Sequence, residues 1–438
     1  MKESIFNFKI ELNKYEMLLY NTLNSAVISI YKEDFEIIKD FLRGSKIMIS
    51  NDLKLIADSL KEQKVFIKSD VNELKELQIN HDKVRSSGEH YAIAIAPNID
   101  CNFSCQYCYE YPINQHMDDS VIKRIEDYIL KRIANNSIKS LSVSWYGGEP
   151  LLSVPTIKRL SKVFLKVNKY NAILFTNGYS FDDLLIDSLP ELGIDVVHIT
   201  IDGERDVHNK NRLLKDGSGT YDTILNNTLK ILEKHGDRLY LNIRINIDAY
   251  NINSVKGLLD EFVNYKNKNL RISIHPVVKP LTGIGKDYCG AVESEEFERA
   301  FVQIQEYLLL NRFLKPYQLI PKFLNFHNCF VNLINGFSIG PDGKIYKCFG
   351  DIHPSQHSIG MINDSGEIDF KQNKLNVWQK YNSFEFKQCS KCVFIPICMG
   401  GCTKRRLGFT NGFSGCDKKK IKKFITNKIL TYYAFQSC

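Results

Sequence analysis

Three cysteines in one short stretch constrain this chain more than any other feature. They are Cys101, Cys105 and Cys108, spaced CX3CX2C, and they follow the apolar run Tyr91 to Ala96, which is typical of a strand. A loop this tight turns three thiolates toward one point, whereas four cysteines usually hold a [4Fe-4S] cube. The fourth iron is then open to a small molecule that carries an amine and a carboxylate. A zinc knuckle is the alternative for cysteines at this spacing.

The spacing, with the aromatic Tyr107 just before the third cysteine, resembles the signature of the radical S-adenosylmethionine (SAM) superfamily. Fe–S clusters and SAM are standard carriers of radical chemistry. The resemblance implies that Cys101, Cys105 and Cys108 ligate a [4Fe-4S] cluster and that its open iron binds the methionine end of SAM. It also implies that Tyr107 belongs to the cofactor site.

Residues 91–290 alternate between strand and helix patterns with the rhythm of a parallel α/β protein. Six such units fit a partial (β/α)6 barrel better than a dinucleotide-binding fold, since no GxGxxG follows the first strand. In barrels of this kind, function gathers at the C-terminal ends of the strands. The predicted strands are Tyr91 to Ala96, Leu141 to Trp145, Ala172 to Phe175, Val196 to Ile201, Tyr240 to Ile247 and Arg271 to Val277.

The second strand is followed by Gly147-Gly148-Glu149-Pro150. Two glycines let the backbone approach a ligand closely, and a glutamate accepts hydrogen bonds from an ammonium group. The element resembles the GGEP turn that holds the SAM amine; by itself it would be only a tight turn. Other polar residues end the next two strands or follow them in a loop, and they resemble positions that meet the ribose and carboxylate of SAM. These are Thr176, Asn177, Thr200, Asp202, His208 and Arg212.

Seven further cysteines follow in a definite order, with Gly343 between the first two. The pattern resembles the SPASM extension of radical SAM enzymes. A zinc ribbon is the alternative for the segment 389–402, but it leaves the other three cysteines unexplained. The resemblance implies two auxiliary [4Fe-4S] clusters, one held by Cys389, Cys392, Cys398 and Cys416 and the other by Cys329, Cys348 and Cys402.

The three-cysteine auxiliary cluster has a vacant ligand position, for which His327, water and substrate are the candidates. Cys289 and Cys438 lie outside both motifs, and we expect them to be buried as small hydrophobic residues.

Residues 1–90 predict a small separate domain of three strands followed by three helices. The strands are Phe6 to Leu12, Met17 to Leu23 and Ala26 to Tyr31; the helices are Glu33 to Leu42, Asp52 to Glu62 and Val71 to Leu77. The order resembles the winged-helix-like element that recognises leader peptides in enzymes acting on ribosomally made peptides. A small sheet with a free edge accepts an extended peptide as an added strand. The alternative is an appendage that only supports the fold.

Four segments are therefore expected: a recognition-like domain at 1–90, a radical SAM partial barrel at 91–290, a linking helix at 291–320 and a SPASM domain at 321–438. Composition agrees with a globular protein, since 44% of the 438 residues are hydrophobic and 25% are charged. Twelve cysteines without a secretion signal favour metal or redox chemistry and predict a cytoplasmic protein without membrane segments. The net charge of +8 includes a lysine-rich stretch after Cys416, which we interpret as a solvated helix face and not as a nucleic-acid site.

Taken together, the three blocks resemble radical SAM/SPASM peptide maturases, which install thioether or carbon–carbon crosslinks in precursor peptides. The resemblance implies SAM and three [4Fe-4S] clusters as cofactors, a 5′-deoxyadenosyl radical as the oxidant, and two partners: a precursor peptide and a one-electron reductant such as flavodoxin or ferredoxin. An anaerobic sulfatase maturase is the first alternative, although Phe349 and not aspartate follows Cys348. A non-enzymatic Fe–S redox or scaffold protein is the second, and it gives Glu149 and the open cluster no purpose.

Overall fold

The computed structural model describes residues 1–278, 283–292, 294–324, 329–352, 357–408 and 416–436. The chain forms two compact units. The first comprises Met1–Ser86, Lys315–Leu333 and Gln379–Cys438, and the second comprises Ser87–Leu314 and Ile334–Trp378. These units cut across the four predicted segments, because residues 334–378 extend the barrel sheet and later residues pack with the N-terminal sheet.

The N-terminal part of the first unit has the predicted order of three strands and three helices. Its elements are β1 (Lys2–Glu3), β2 (Asn7–Glu11), β3 (Glu16–Asn21), β4 (Val27–Tyr31), α1 (Lys32–Leu42), α2 (Asn51–Glu62), β5 (Phe66–Ile67) and α3 (Glu73–Arg85). The short antiparallel pair β1–β5 was not predicted. Ser50 caps α2, since its Oγ accepts from Leu53 N at 3.2 Å. Asn72 caps α3 by accepting from Lys75 N at 3.1 Å.

The sheet β2–β3–β4 is antiparallel, and different elements pack on its two faces. On one face, Met17 and Leu19 of β3 pack with Phe35 and Ile38 of α1. On the other, Leu18 and Tyr20 join a cluster that includes Phe394, Ile425 and Ile429. The side chains of β3 alternate between the two faces, so one strand needs both the N-terminal helices and the C-terminal segment to bury its apolar residues.

The C-terminal part of the first unit is helical. It contains α12 (Lys387–Ser390), α13 (Ile395–Cys398), α14 (Thr403–Arg406) and α15 (Lys418–Phe435). Lys418, Lys419, Lys420, Lys422 and Lys423 are exposed on α15, as the solvated-face interpretation predicts.

The second unit is built on six parallel strands, which confirms the α/β prediction. The strands are β6 (His90–Ile95), β7 (Ser140–Trp145), β8 (Lys169–Thr176), β9 (Ile194–Thr200), β10 (Tyr240–Ile247) and β11 (Leu270–Pro276). The helices are α4 (Asp119–Ala134), α5 (Val154–Phe164), α6 (Asp183–Ser188), α7 (Arg205–Asn211), α8 (Tyr221–His235), α9 (Val255–Asp260) and α10 (Ser294–Leu310). The strands pair in sequence order from β6 to β11, as consecutive βα units of a partial barrel require.

Four strands that were not predicted continue this sheet beyond β6. They are β12 (Gly336–Ile339), β13 (Lys344–Tyr346), β14 (Gly360–Ile362) and β15 (Ile368–Phe370), and α11 (Gln372–Gln379) follows them. β12 pairs in parallel with β6, and the later three strands pair antiparallel. The strands are only three or four residues long, which is too short for a period-2 pattern to distinguish them from turns.

The two faces of the parallel strands differ. Val197, Ile199, Leu241 and Ile243 are fully buried and face the helices. The alternate residues form the inner face of the partial barrel, where Thr200 of β9 pairs with Arg244 of β10. None of the described helices combines the length and apolar composition needed to cross a bilayer.

Candidate active site

The CX3CX2C loop follows β6 and is fixed by backbone hydrogen bonds to the segment after α7. Ser104 N donates to Leu213 O at 2.9 Å, and Gln106 N donates to Asn211 O at 3.1 Å. Within the loop, Cys108 N donates to Cys105 O at 3.2 Å. Burial raises the pKa of the Cys101, Cys105 and Cys108 thiols. Thiols held in this way need a cation, such as iron, to stay ionised.

The three thiols of the loop lie near one another. The Cys101 thiol lies within electrostatic reach of both Cys105 and Cys108. Among the described residues, no three Cys, His, Asp or Glu side chains converge tightly enough to hold one metal ion. A mononuclear zinc site brings each sulfur within about 2.3 Å of one centre, whereas a four-iron cube gives each thiolate its own iron. The loop supplies one thiolate for each of three irons, which fits a cubane whose fourth iron is open.

The Gly-Gly-Glu-Pro turn after β7 packs directly on the start of the cysteine loop. Glu149 N donates to Asp100 O at 2.7 Å. A Cβ atom at Gly147 would stand 2.2 Å from Asn98 O, and one at Gly148 would stand 2.1 Å from Asp100 O. The glycines are required because two backbone segments touch here.

Glu149 joins the ends of the second and third strands. The residue is fully buried, and its carboxylate accepts hydrogen bonds from Thr176 Oγ1 at 2.7 Å, Asn177 N at 2.6 Å and Leu151 N at 2.9 Å. Burial raises the pKa of Glu149, while these donors oppose the shift. Asn177 also donates from Nδ2 to Asn102 Oδ1 of the cysteine loop, at 2.8 Å. Three predicted cofactor residues are thus brought together next to the loop.

A second buried network surrounds Tyr107. Its hydroxyl donates to Asp202 Oδ2 and accepts from Arg212 Nη1 at 2.9 Å and from Asn246 Nδ2 at 3.2 Å. Asp202 Oδ1 accepts from Asn246 N at 2.9 Å. The Nε of Arg212 is buried and has no hydrogen-bond partner among the described residues. An unsatisfied guanidinium donor inside the barrel fits an anionic ligand group.

His208 lies on helix α7 and not in a loop as predicted. Its Nδ1 accepts from Asp202 N at 3.2 Å, so the ring hydrogen is on Nε2, which donates to Thr220 Oγ1 at 3.0 Å. Thr220 in turn donates to Arg212 O at 2.6 Å. Burial lowers the pKa of His208, and the neutral ring therefore fixes the Asp202 turn to the Arg212 backbone.

Thr200 is half-buried on the inner face, at the end of β9. Within the described residues, its hydroxyl makes no hydrogen bond that would join it to either network. Its predicted contact with SAM remains a prediction.

The second unit also contains a small cavity that the sequence analysis did not predict. The cavity is bounded by the end of the cysteine loop, the start of the glycine turn and the residues after Cys348; its lining includes Tyr109, Glu110, Tyr111, Tyr146 and Phe349. The rings of Tyr146 and Phe349 are 4.5 Å apart. Burial raises the pKa of Glu110 to about 8. The only sequence feature that pointed to Glu110 as a site residue was its position two residues after Cys108.

Asn246 and Arg244 were also missed as site residues. The sequence feature that could have identified them is the alternation of polar and apolar residues along β10, which is unusual in a parallel strand buried on both faces.

The later cysteines fall on both units. In the first unit, Cys389, Cys392 and Cys416 lie within electrostatic reach of the Cys398 thiol. Arg406 Nη2 donates to Cys389 Sγ at 3.1 Å, a contact that favours a thiolate. Cys329 and Cys402 also belong to the first unit, and Cys348 belongs to the second.

Three other predictions concern residues outside these sets. His327 and Cys438 lie outside the described residues. Cys289 is exposed, so the expectation that it is buried is wrong. It sits in the turn after a short 3-10 helix, where Sγ contacts Asp287 O at 3.4 Å and no element covers it.

Comparison with known proteins agrees with this geometry. Residues 97–272 match the model of the Radical SAM superfamily. The chain is 23% identical over 363 residues to the cysteine-type anaerobic sulfatase-maturating enzyme of Clostridium novyi, covering 76% of this chain and 94% of that protein. It is also 23% identical to the radical SAM cyclopropyl synthase TigE of Paramaledivibacter caminithermalis, covering 76% of this chain and 72% of that protein.

Two groups of solved structures share the fold. The structure of anSMEcpe with bound AdoMet and the Cp18Cys peptide aligns with a TM-score of 0.59 at 20% identity, covering 80% of this chain and 99% of that one. Streptococcus suis SuiB bound to its precursor peptide SuiA aligns with a TM-score of 0.51 at 14% identity, covering 92% and 95%. The superfamily match implies a [4Fe-4S] cluster and SAM. Since the cysteine loop, the glycine turn and the two buried networks all lie in the matched region, the chain is an enzyme that carries a radical SAM domain.

Proposed function

We propose that the protein is a peptide maturase that installs an intramolecular crosslink in a ribosomally synthesised precursor, with a thioether favoured over a carbon–carbon bond. The observation that carries this proposal is the combination of the radical SAM site with seven further cysteines in SPASM order. The similar proteins support a peptide substrate, because they include a sulfatase-maturating enzyme and an enzyme bound to its precursor peptide SuiA.

The chain's own residues would hold SAM and exclude water. When bound, the cluster and SAM supply a 5′-deoxyadenosyl radical that takes a hydrogen from an unactivated carbon. Cys101, Cys105 and Cys108 would ligate the cluster, Glu149 would accept from the SAM amine, and Arg212 would donate its unsatisfied Nε to the carboxylate. The buried positions of Glu149, Asp202 and Arg212 keep these interactions in a low-dielectric setting, where they are strongest.

The other cysteines would hold two auxiliary clusters. Cys389, Cys392, Cys398 and Cys416 would complete one of them. The set Cys329, Cys348 and Cys402 would leave one iron without a protein thiolate, the ligand that iron of this type prefers. A substrate cysteine at that iron would have its thiol pKa lowered and its sulfur positioned for bond formation. This vacancy is the reason for favouring a thioether.

The leader segment of the precursor would bind at strand β4. Asn21 N donates to Ala26 O at 2.9 Å, so alternate residues of β4 direct their backbone groups toward β3 and away from it. Val27 and Ser29 have the outward groups, and no backbone partner for them occurs among the described residues. An extended peptide would satisfy these groups as an added strand.

Deleting residues 1–90 is not a clean test of this site, because β3 packs on Phe394 and Ile425 in the unit that holds six of the seven auxiliary cysteines. A proline at Ser29 removes one outward N–H and leaves the β3 pairing intact. Glu11→Pro is the matched control, since Glu11 has an outward N–H on the opposite edge strand β2. Ser29→Pro should weaken precursor binding and Glu11→Pro should not; equal effects would remove the β4 site.

Sulfatase maturation is the second candidate, supported by the Clostridium novyi relative. In that family an aspartate, its proposed base, directly follows the second extension cysteine. Here Phe349 has this position, and the nearest acid, Asp351, is buried and hydrogen-bonded to His357 Nδ1 at 2.9 Å. The carboxylate is therefore engaged within the protein, which favours the crosslinking function.

The deciding experiment is anaerobic incubation of the reconstituted enzyme, SAM and reductant with each short peptide encoded beside its gene and, separately, with a sulfatase-derived peptide, followed by mass spectrometry. We expect a loss of two hydrogens and one cysteine that becomes resistant to alkylation. Loss of two hydrogens with every thiol still reactive would point to a carbon–carbon bond. Formylglycine in a sulfatase-derived peptide would favour the second candidate, and absence of SAM cleavage would indicate a non-enzymatic Fe–S protein.

A further inference from the structure

The inner face of the partial barrel carries unbalanced positive charge. Strand register places Thr200, Arg244 and Ser273 side by side on β9, β10 and β11, and Asn246 beside His275. Parallel strands of this kind are usually apolar on both faces. Over the strand ranges β6 to β11, the residues that share this face include arginine and histidine but no aspartate or glutamate.

Arg244 is the half-buried cation of this face. Its Nε donates to Asn246 Oδ1 at 2.8 Å, and this hydrogen bond fixes the orientation of the guanidinium. The two terminal nitrogens, Nη1 and Nη2, then remain to donate to a ligand. No carboxylate of the described residues lies within ion-pair distance of it. Burial and the charge of Arg244 lower the pKa of His198 and of His275 to about 4, so both rings are neutral near pH 7. The positive charge of this face therefore lies on its two arginines, the half-buried Arg244 and the exposed Arg271 at the start of β11.

Ring contacts connect this inner face to the cavity beside the cysteine loop. Tyr146 lines the cavity and packs on Phe175 at 5.9 Å between ring centroids, and Phe175 stacks on His198 of the inner face at 4.5 Å. Desolvating a cation without a counter-charge is costly, whereas a fixed guanidinium binds a carboxylate through two parallel hydrogen bonds. Arg212, which is already assigned to SAM, donates to the Tyr107 hydroxyl, whereas Arg244 reaches that hydroxyl only through Asn246.

We propose that Arg244 binds a carboxylate of the substrate peptide, so that the barrel selects an acidic residue or a free C-terminus near the site of hydrogen removal. This inference rests on the proposed peptide-modifying function and adds a substrate class to it. Arg244 is a specificity-determining residue in this scheme: it positions the peptide, while hydrogen removal takes place at another atom.

The test is a binding measurement, which does not depend on whether a crosslink is formed. The probes are N-acetyl-aspartate N-methylamide for a side-chain carboxylate, N-acetyl-alanine for a C-terminal carboxylate, and N-acetyl-asparagine N-methylamide as the neutral match. Binding to the reconstituted enzyme with SAM, without reductant, is followed by saturation-transfer NMR. We expect one carboxylate probe to bind roughly tenfold more tightly than the asparagine probe, and which one it is identifies the source.

Arg244→Gln should reduce that preference to about twofold or less, and Arg244→Lys should give an intermediate value because it keeps the charge but loses the fork. Arg271→Gln is the matched control: it removes an exposed arginine at the start of β11 and should leave the preference intact. Equal binding of all three probes to the unmodified enzyme would overturn the inference. So would loss of SAM binding in Arg244→Lys, since Arg244 would then serve SAM, and the crosslinking function would be unaffected by that result.

Discussion

Replacing Tyr107 by phenylalanine should destabilise the second unit by about 3 kcal/mol. The hydroxyl donates to the fully buried Asp202 carboxylate and accepts from Arg212 and Asn246. A hydrogen bond to a charged group contributes about 1.5–3 kcal/mol, and this substitution removes two such bonds. The attraction that remains between Asp202 and Arg212 and the lower desolvation cost of phenylalanine offset part of the loss. No cavity forms, because only one oxygen is removed.

The assay is thermal unfolding of the reconstituted enzyme under anaerobic conditions, with iron content measured before each scan. At about 2 °C per kcal/mol for a unit of this size, we expect Tm to fall by roughly 6 °C. Tyr240→Phe is the matched control, since Tyr240 is an exposed tyrosine on β10 and its loss should change Tm by less than about 1 °C.

A Tyr107→Phe Tm within about 1 °C of the unmodified enzyme, at equal iron content, would refute the network as a source of stability. It would mean that Asp202 and Arg212 satisfy each other without the hydroxyl. A large fall in iron content would instead mean that the Tyr107 hydroxyl supports cluster binding, since Tyr107 lies in the cysteine loop next to Cys108.

Three further predictions follow from the site. Replacing Cys101, Cys105 and Cys108 together by alanine should remove about four of about twelve irons per chain and all SAM cleavage; zinc at the segment 389–402 on metal analysis would contradict the count of three clusters. Gly148→Ala should abolish SAM cleavage because its Cβ would meet Asp100 O at 2.1 Å, whereas Gly88→Ala, where nothing lies within 4 Å, should be neutral in the same assay. Acidification should lower Tm, because burial lowers the pKa of His208 and lowers the pKa of His198 to about 4. The neutral rings stabilise the fold fully above about pH 6.5, the pKa of histidine in the unfolded chain, and this stabilisation is lost as the pH falls below that value. A Tm that stays constant between pH 7 and pH 5 would contradict this assignment of neutral histidines.

Local patterns predicted most of the secondary structure. The six barrel strands and the N-terminal order of strands and helices were identified from periodicity, and α10 lies within the predicted linking helix at 291–320. The errors were at short elements. Strands β12 to β15 have three or four residues each, and the turn that carries His208 folds as the seven-residue helix α7, so neither is long enough for a periodic signal.

The chemistry of the site could be predicted from the sequence alone, because cluster ligation depends on cysteines a few residues apart and a close backbone approach depends on glycine at one position. The pairing of Glu149 with Thr176 and Asn177, the network around Tyr107 and the fixed fork of Arg244 depend on residues that the fold brings together from different strands. The division into two units also depends on the tertiary fold. Strand β3 directs its apolar side chains alternately to the two faces of its sheet, and the C-terminal segment covers the face that α1 does not. Short spacings determine which groups can bind a cofactor; only the tertiary structure decides which distant charges meet, because electrostatic and packing interactions act through space and not along the chain.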